Sequence, residues 1–435
     1  MKIVFIVHYF PPINSSGTRR VLALSKYLTK FGHDVTVVTT AKRGFDGPPI
    51  EPMPSYCRVL EIGKSDYRSS EPTGGNTRDI KSGRTGLMWY LILFRRALTV
   101  IFGQLIDHRI FFASRFRNSR LPDDVIKALS TSDIIISSCP PWPVHLAGYY
   151  VAKNFSKPWI ADYRDHFSGY HFISGNRISS FFETWMDRKM LSRAAAVTAI
   201  SSPMSEYYGQ FHNRVVTIEN GYDAEYIDEV RSHVGAREPE SGKAIVRYLG
   251  SITRDRVPRV LFAVLKKLDE QERGRIIFEI YGEAQILKSA IATECPELSG
   301  CFRFIDRVSY SRSIELMLSA DALLLMETSS NESLSTQGTL TTKLFEYLAA
   351  ERPILAEISP KTLIGQVIAG SGLGLVISCD ETEIRKAVLR IIRRDTKVNP
   401  NETFIRSYSR EIQARRFENL FQSVLNEKTW VKRNA

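Results

Sequence analysis

Apolar and polar positions along this chain fall into two alternating rhythms. Residues 2–7 are a short, almost wholly apolar run rich in Val, Ile and Phe, the pattern of a parallel strand buried on both faces. A loop carrying Pro11, Pro12, Asn14, Ser15, Ser16 and Gly17 follows. Val21, Leu24, Leu28 and Phe31 then recur at helical spacing up to Gly32. With a strand at 35–39 this makes a βαβ unit, whose crossover is expected to be right-handed. Residues 41–83 are rich in Gly, Pro, Ser and Arg and keep no period, so they read as a long irregular insertion.

Alternation resumes after residue 120. Strands are predicted at 133–137, 159–163, 196–200 and 215–218, with helices at 144–154, 178–193 and 203–211. Glu219-Asn220-Gly221-Tyr222-Asp223 is a turn cluster. A second series follows, with strands at 246–249, 276–281, 302–305, 322–326, 354–357 and 374–377. Helices near 258–268, 312–319, 341–350, 361–369 and 381–394 separate them, and a charged periodic segment at 409–426 reads as a last helix. Two runs of β/α alternation joined by a turn predict an α/β protein with two parallel-sheet domains, 1–215 and 220–400.

Composition agrees with this picture and narrows it. The 435 residues are 43% hydrophobic and 24% charged, enough for two cores and unlike a disordered chain. Cys57, Cys139, Cys295, Cys301 and Cys379 are scattered with no C-x-x-C pair, which argues against zinc sites and disulfide frameworks and fits a reducing cytoplasm. The run at 2–7 is too short for a signal peptide, and no stretch has the roughly 18 apolar residues of a spanning helix, so a cytoplasmic protein is expected.

The net charge of +12 is unevenly placed. Residues 81–120 hold eight basic residues against the single acid Asp107, which points to a polyanionic partner. Within that stretch Leu87, Leu91, Phe94, Leu98, Ile101 and Leu105 recur at spacings of three or four, Trp89 widens the apolar face, and Arg95 and Arg96 sit inside the run. This is the pattern of an interfacial helix on an anionic membrane. A core helix with a few surface arginines fits the same spacing. Nucleic acid is the weaker partner, because no recognised module accompanies the charge.

Open parallel sheets bind ligands at the carboxyl ends of their strands. Gly17 opens the first helix after the first strand, where it admits close approach of an anion or simply serves as a helix-entry residue. In the second series, Thr341, Thr342, Lys343 and Glu346 stand at the start of a helix. Free amides, hydroxyls and an ammonium there can hold a diphosphate, and a carboxylate one turn on can accept the hydroxyls of a ribose. A capped helix with an exposed Lys343–Glu346 pair fits the same residues. Gly250 ends a strand, and Arg254 or Arg256 just beyond it can neutralise a phosphate through a bidentate fork. In the first series, Arg164 and Asp165 end a strand as part of Asp162-Tyr163-Arg164-Asp165-His166, either as catalytic groups or as an internal ion pair. Trp142 and His145 open another helix and can line an acceptor, although a lone histidine is more often structural.

These residues together resemble the family-four glycosyltransferases of the GT-B fold, over nearly the whole chain. The resemblance is carried by the loop from His8 to Gly17, by Asn220-Gly221, by Tyr248-Leu249-Gly250, and most specifically by Lys343-Leu344-Phe345-Glu346-Tyr347-Leu348-Ala349 leading to Pro353. It implies two Rossmann-like domains facing a central cleft, with a helix at 405–430 returning to the first domain. It also implies metal-independent, cofactor-free transfer of a sugar from a UDP- or GDP-sugar with retention of configuration. Glu346 matches the ribose-binding glutamate and Arg256 approximately fills the usual lysine position, with Arg254 close by. Thr339 stands where a partner glutamate is usual, Ser251 replaces an arginine, and Arg164-Asp165 occupies a strand end where many relatives carry a histidine. The acceptor expected from the resemblance is a glycan or a polyprenyl-diphosphate-linked sugar at the inner face of the cytoplasmic membrane. A sugar-nucleotide 2-epimerase of the same fold, or a non-catalytic scaffold binding nucleotide sugar or membrane, is the alternative.

Overall fold

The computed structural model describes residues 1–13, 15–41, 52–64, 107, 109–117, 120–169, 177–234, 242–327 and 340–427. The chain divides into two compact units. Unit 1 takes Met1–Glu219 and the chain from Ala414 onward, and unit 2 takes Asn220–Glu332 and Leu340–Gln413.

In unit 1, strands β1 (Lys2–Ile6), β2 (Asp34–Ala41), β3 (Arg58–Lys64), β4 (Ile134–Cys139), β5 (Trp159–Tyr163), β6 (Ala196–Ala199) and β7 (Val215–Thr217) form one sheet in the order β3-β2-β1-β4-β5-β6-β7. Every pairing is parallel. The helices are α1 (Ser16–Lys30), α2 (Ile110–Arg117), α3 (Asp123–Thr131), α4 (Pro143–Phe155), α5 (Arg177–Leu191) and α6 (Ser202–Gly209). Side chains of a strand alternate between faces, and β1 shows the consequence. Ile3 and Phe5 join a core with Leu24 and Leu28 of α1, whereas Val4 and Ile6 join a core with Phe116 of α2 and Val151 of α4.

Unit 2 repeats the design with β8 (Ala244–Leu249), β9 (Ile276–Tyr281), β10 (Phe302–Ile305), β11 (Ala322–Met326), β12 (Ile354–Glu357) and β13 (Gly374–Ile377), in the order β10-β9-β8-β11-β12-β13 and again all parallel. Its helices are α7 (Ala224–His233), α8 (Arg259–Lys266), α9 (Glu270–Gly274), α10 (Gln285–Glu294), α11 (Tyr310–Leu318), α12 (Thr342–Ala350), α13 (Leu363–Ser371), α14 (Glu381–Ile392) and α15 (Glu402–Arg406). The last helix, α16 (Arg410–Asn426), starts in unit 2 and belongs to unit 1 from Ala414. There Ala414, Phe417 and Phe421 are fully buried in the same core as α1, and the Arg20 guanidinium lies 5.4 Å from the centre of the Phe417 ring.

One expectation needs correcting. The stretch read as irregular contains β3, which pairs with β2 through Val37–Val59 and Val38–Leu60. Leu60 and Ile62 are buried while Glu61 is exposed, so a short edge strand of mixed polarity hid between Gly- and Pro-rich neighbours. Helix α7 was likewise unread; Asp223 of the turn cluster caps it by accepting a hydrogen bond from the Tyr226 amide at 3.4 Å.

A buried ion pair ties unit 1 together. Arg20 donates from Nε to Asp162 Oδ2 at 3.1 Å and from NH2 to Oδ1 at 2.8 Å, and also to the Ile218 and Glu219 carbonyls at 2.9 and 2.7 Å. Ser138 and Thr198 add hydrogen bonds to Asp162 of 2.6 and 2.8 Å. Burial alone would raise the Asp162 carboxyl, but Arg20 and these hydroxyls hold it below the usual carboxylate range. Arg20 and Asp162 together join the ends of β4, β5 and β6 to the segment that follows β7. Removing one partner strands a buried charge, so Asp162→Ala is expected to cost roughly 3–5 kcal/mol in denaturant unfolding. A loss below about 1 kcal/mol, the scale of an exposed pair, would contradict this account of the tie.

Candidate functional site

Strand order reverses direction between β8 and β11, and at such a switch point the loops leaving the carboxyl ends part to form a crevice. In unit 2 those ends are Leu249-Gly250 and Met326-Glu327. The residues singled out from the sequence converge there.

Glu327 follows β11 and is 5% exposed. One carboxylate oxygen accepts from Thr341 Oγ1 at 3.2 Å, and the other pairs with Arg256 NH2 at 2.8 Å. A charge this buried is stable only with such partners, and in turn it fixes both of them. Thr341 is the N-cap residue of α12, but its side chain is turned to Glu327 and makes no capping hydrogen bond. The first turn of α12 thus keeps its amides uncapped by Thr341, the arrangement that suits an anion. Arg256 Nε is buried without a hydrogen-bond partner among the described residues.

Lys343, in the first turn of α12, extends across Gly250. Its Nζ donates to the Tyr248 hydroxyl at 2.7 Å and lies 3.9 Å from the centre of that ring. Gly250 has φ +137°, a backbone conformation that favours glycine, and a Cβ added there would meet Lys343 Cε at 2.9 Å and displace the end of that side chain. Burial lowers the Lys343 ammonium to about 8, against the raising effect of Glu327. Tyr347, one turn on, accepts a hydrogen bond from the Leu249 amide at 3.1 Å and locks α12 to the end of β8. Thr342 and Glu346 are half-buried on the same helix. Arg254 is exposed, so of the two arginines considered Arg256 is the one built into the cluster. The lysine is held by Tyr248 rather than standing as an exposed pair with Glu346.

In unit 1 the corresponding switch point lies between β1 and β4. Ser15 caps α1 by accepting from the Thr18 amide at 3.1 Å. The guanidinium of Arg164 packs against Gly17, where any side chain would displace it, and also donates to the Pro140 carbonyl. Arg164 is 7% exposed and its Nε has no partner among the described residues. Asp162 pairs with Arg20, so an Arg164–Asp162 pair is not what holds this loop. Asp165 is exposed, yet the protein packed around it pushes its carboxyl up to about 6, outweighing the Arg164 charge. The loop is secured three residues further on, where Asp187 of α5 accepts from Ser168 Oγ at 2.5 Å, the Ser168 amide at 3.1 Å and Tyr163 at 2.5 Å.

Two residues expected to line an acceptor are placed elsewhere. His145 is 0% exposed, bonded through Nδ1 to Ser137 Oγ at 2.7 Å and packed edge-on against Tyr163, and burial lowers it to about 3. Trp142 is 4% exposed and stacked on Phe167. Both are core residues, made so by the apolar face of α4. Trp89, Arg95, Arg96 and Thr339 lie outside the described residues. Sequence reasoning missed Glu327 and Tyr248 as site residues; the available signal was a carboxylate and a phenol at the ends of two central strands. Among the described residues no group of His, Cys, Asp and Glu could hold a metal ion, and no helix is long and apolar enough to cross a membrane.

No protein-family model matches the sequence, and no curated protein does. Solved structures are similar. A glycosyltransferase from Rickettsia africae aligns over 98% of this chain and 100% of its own at 13% identity and a TM-score of 0.57. The Anabaena protein Alr3699/HepE in complex with UDP aligns over 97% and 100% at 12% identity and a TM-score of 0.58. The lipopolysaccharide outer core galactosyltransferase WaaB aligns over 97% and 99% at 15% identity and a TM-score of 0.55.

The Lys343 environment makes a pH prediction. An anion prefers the protonated ammonium, so affinity for a nucleoside diphosphate should fall as pH rises through about 8, by at most about tenfold per unit for a single proton. Calorimetry from pH 7 to 9 checks this. Lys343→Met should bind weakly with no such slope, and an equal slope in that variant would assign the titration to another group. With two parallel-sheet, Rossmann-like units matching these structures, the chain has the GT-B fold.

Proposed function

We propose that this protein is a glycosyltransferase that takes its donor, a UDP- or GDP-sugar, at the β8/β11 switch point of unit 2. The observation that carries the reading is the cluster in which buried Glu327 orients Arg256 beside Lys343 at the open start of α12. Two cations and a helix N-terminus suit the diphosphate, and Glu346 is positioned one turn on to accept ribose hydroxyls. The HepE structure with UDP supports a nucleotide donor for the same fold.

The chemistry follows from the bond broken. The bond between the anomeric carbon and the diphosphate oxygen breaks, an acceptor hydroxyl oxygen bonds to that carbon, and the hydroxyl proton passes to the diphosphate. Negative charge grows on the leaving group, where Arg256, Lys343 and the α12 amides stabilise it without a metal or other cofactor. We assign retention of configuration, with attack from the leaving-group face, and we assign Asp165 and Arg164 to the acceptor side. The acceptor is a glycan or a polyprenyl-diphosphate-linked sugar, and the protein works at the inner face of the cytoplasmic membrane in cell-surface polysaccharide assembly. The strongly basic stretch 81–120 supports an anionic, membrane-borne acceptor. A 2-epimerase of the same fold would convert the donor with no acceptor present, whereas the proposed enzyme would not.

Fold alone does not assign chemistry, so mutants must. Glu346→Ala should weaken donor binding by about 1–3 kcal/mol, because a buried ribose loses its acceptor; unchanged affinity in calorimetry would withdraw the ribose role. Asp165→Asn should leave donor binding intact and lower transfer by roughly a hundredfold. Its wild-type carboxyl near 6 implies that transfer falls as pH drops through that value, since the carboxylate is the active form. Persistence of that acid limb in the Asn variant, or a normal rate, would return Asp165 to a structural role.

A further inference from the structure

Helices α2, α4 and α5 form one layer on the β1/β4/β5 face of unit 1, all three contributing to a single buried cluster. Among the described residues, the outer side of that layer concentrates exposed apolar side chains. Of the ten large hydrophobic side chains left exposed among the described residues, six belong to α2 and α5 (Ile110, Phe111, Ile178, Phe181, Phe182 and Trp185), and Met53, Tyr56, Ile412 and Leu425 lie elsewhere. Phe111 is 72% exposed and Phe181 67%, on two helices that each pack against α4.

The charges on this layer are sorted by sign. Helices α2 and α4 contain no acidic residue. Helix α5 has two, Glu183 and Asp187, and both are 0% exposed; Asp187 points inward to Tyr163 and Ser168. What remains outside is basic: Arg115, Arg117, Lys153, Arg177, Arg188 and Lys189. Lys189 sits 4.9 Å from the Trp185 ring centre, so cation and indole share one patch. Exposed aromatic rings beside lysine and arginine, with every acid of these helices turned into the core, are the two signals that together hold a protein on a bilayer: apolar insertion and attraction to anionic headgroups.

We propose that the outer face of α2, α4 and α5 docks on the surface of a membrane containing anionic lipid, with Phe181, Phe182 and Trp185 entering the headgroup boundary. It rests on the membrane-borne acceptor proposed above and specifies which surface meets the bilayer. The placement also joins surface to site, because α5 presents Trp185 outward while Asp187, two residues on, holds the loop that follows Asp165.

The test is co-sedimentation of the full chain with vesicles of phosphatidylcholine alone and of phosphatidylcholine with phosphatidylglycerol. The variants are Phe181→Glu with Trp185→Glu, and separately Trp185→Phe to retain an aromatic ring. Circular dichroism, thermal unfolding and nucleotide-sugar binding serve as controls for folding. The wild type is expected to bind the anionic vesicles, the double glutamate variant at least tenfold more weakly with fold and donor binding unchanged, and Trp185→Phe nearly as the wild type. Should the glutamate variant misfold, Arg177→Glu with Lys189→Glu replaces it, with the same expected loss. Folded glutamate variants that bind like the wild type would overturn this face while leaving membrane docking to another part of the chain. A wild type that binds neither vesicle would overturn the membrane reading altogether. A wild-type dimer that the glutamate variant dissolves, without vesicle binding, would reassign the patch to self-association.

Discussion

The cluster proposed to hold the donor in unit 2 depends on one buried carboxylate. Glu327 cannot remain charged in the end of a central strand without partners, and the partners it takes are the two groups an anion site most needs fixed. It draws the Thr341 hydroxyl away from the capping position, which leaves the start of α12 open. It also holds Arg256 in a single direction while leaving Nε unmatched among the described residues. A guanidinium and a helix terminus already oriented need little rearrangement when charge develops on a leaving group, which is the economy of a preorganised site.

Unit 1 uses the same logic for a different purpose. There the buried carboxylate, Asp162, is fully matched by Arg20, Ser138 and Thr198 and serves the fold. Its neighbour Arg164 is therefore left outside that pair. Arg164 lies against Gly17 and the start of α1, and Asp165 reaches solvent. The loop between them and α5 is pinned by Asp187 through Ser168, so the candidate catalytic carboxylate is held by groups that face the core.

Much of this was legible in the sequence because parallel sheets buried on both faces leave continuous apolar runs. Strands β5, β9, β10, β11, β12 and β13 fall where the runs fall. What escaped was amphipathic and short: the edge strand β3, whose Glu61 breaks its apolar run, and helices such as α7 that begin inside a turn cluster. At the site, Lys343, Arg256, Thr341 and Gly250 were readable because a glycine-ended strand and a polar helix start are local patterns. Glu327 and Tyr248 were not, since their role arises only when two strands distant in sequence become neighbours in the sheet. His145 and Trp142 misled for the opposite reason. Their residue types suggest a site, but the apolar face of the helix they open carries them into the core.

We propose that a nucleotide-sugar donor is held at the β8/β11 switch point. Hydrogen–deuterium exchange of the full chain, with and without saturating UDP- or GDP-sugar, tests it most directly. Protection is expected to concentrate in two peptides, the loop after Leu249 through Arg256 and the first turn of α12, because their amides and side chains would close around the diphosphate. Protection absent from both peptides while the donor is demonstrably bound would contradict it.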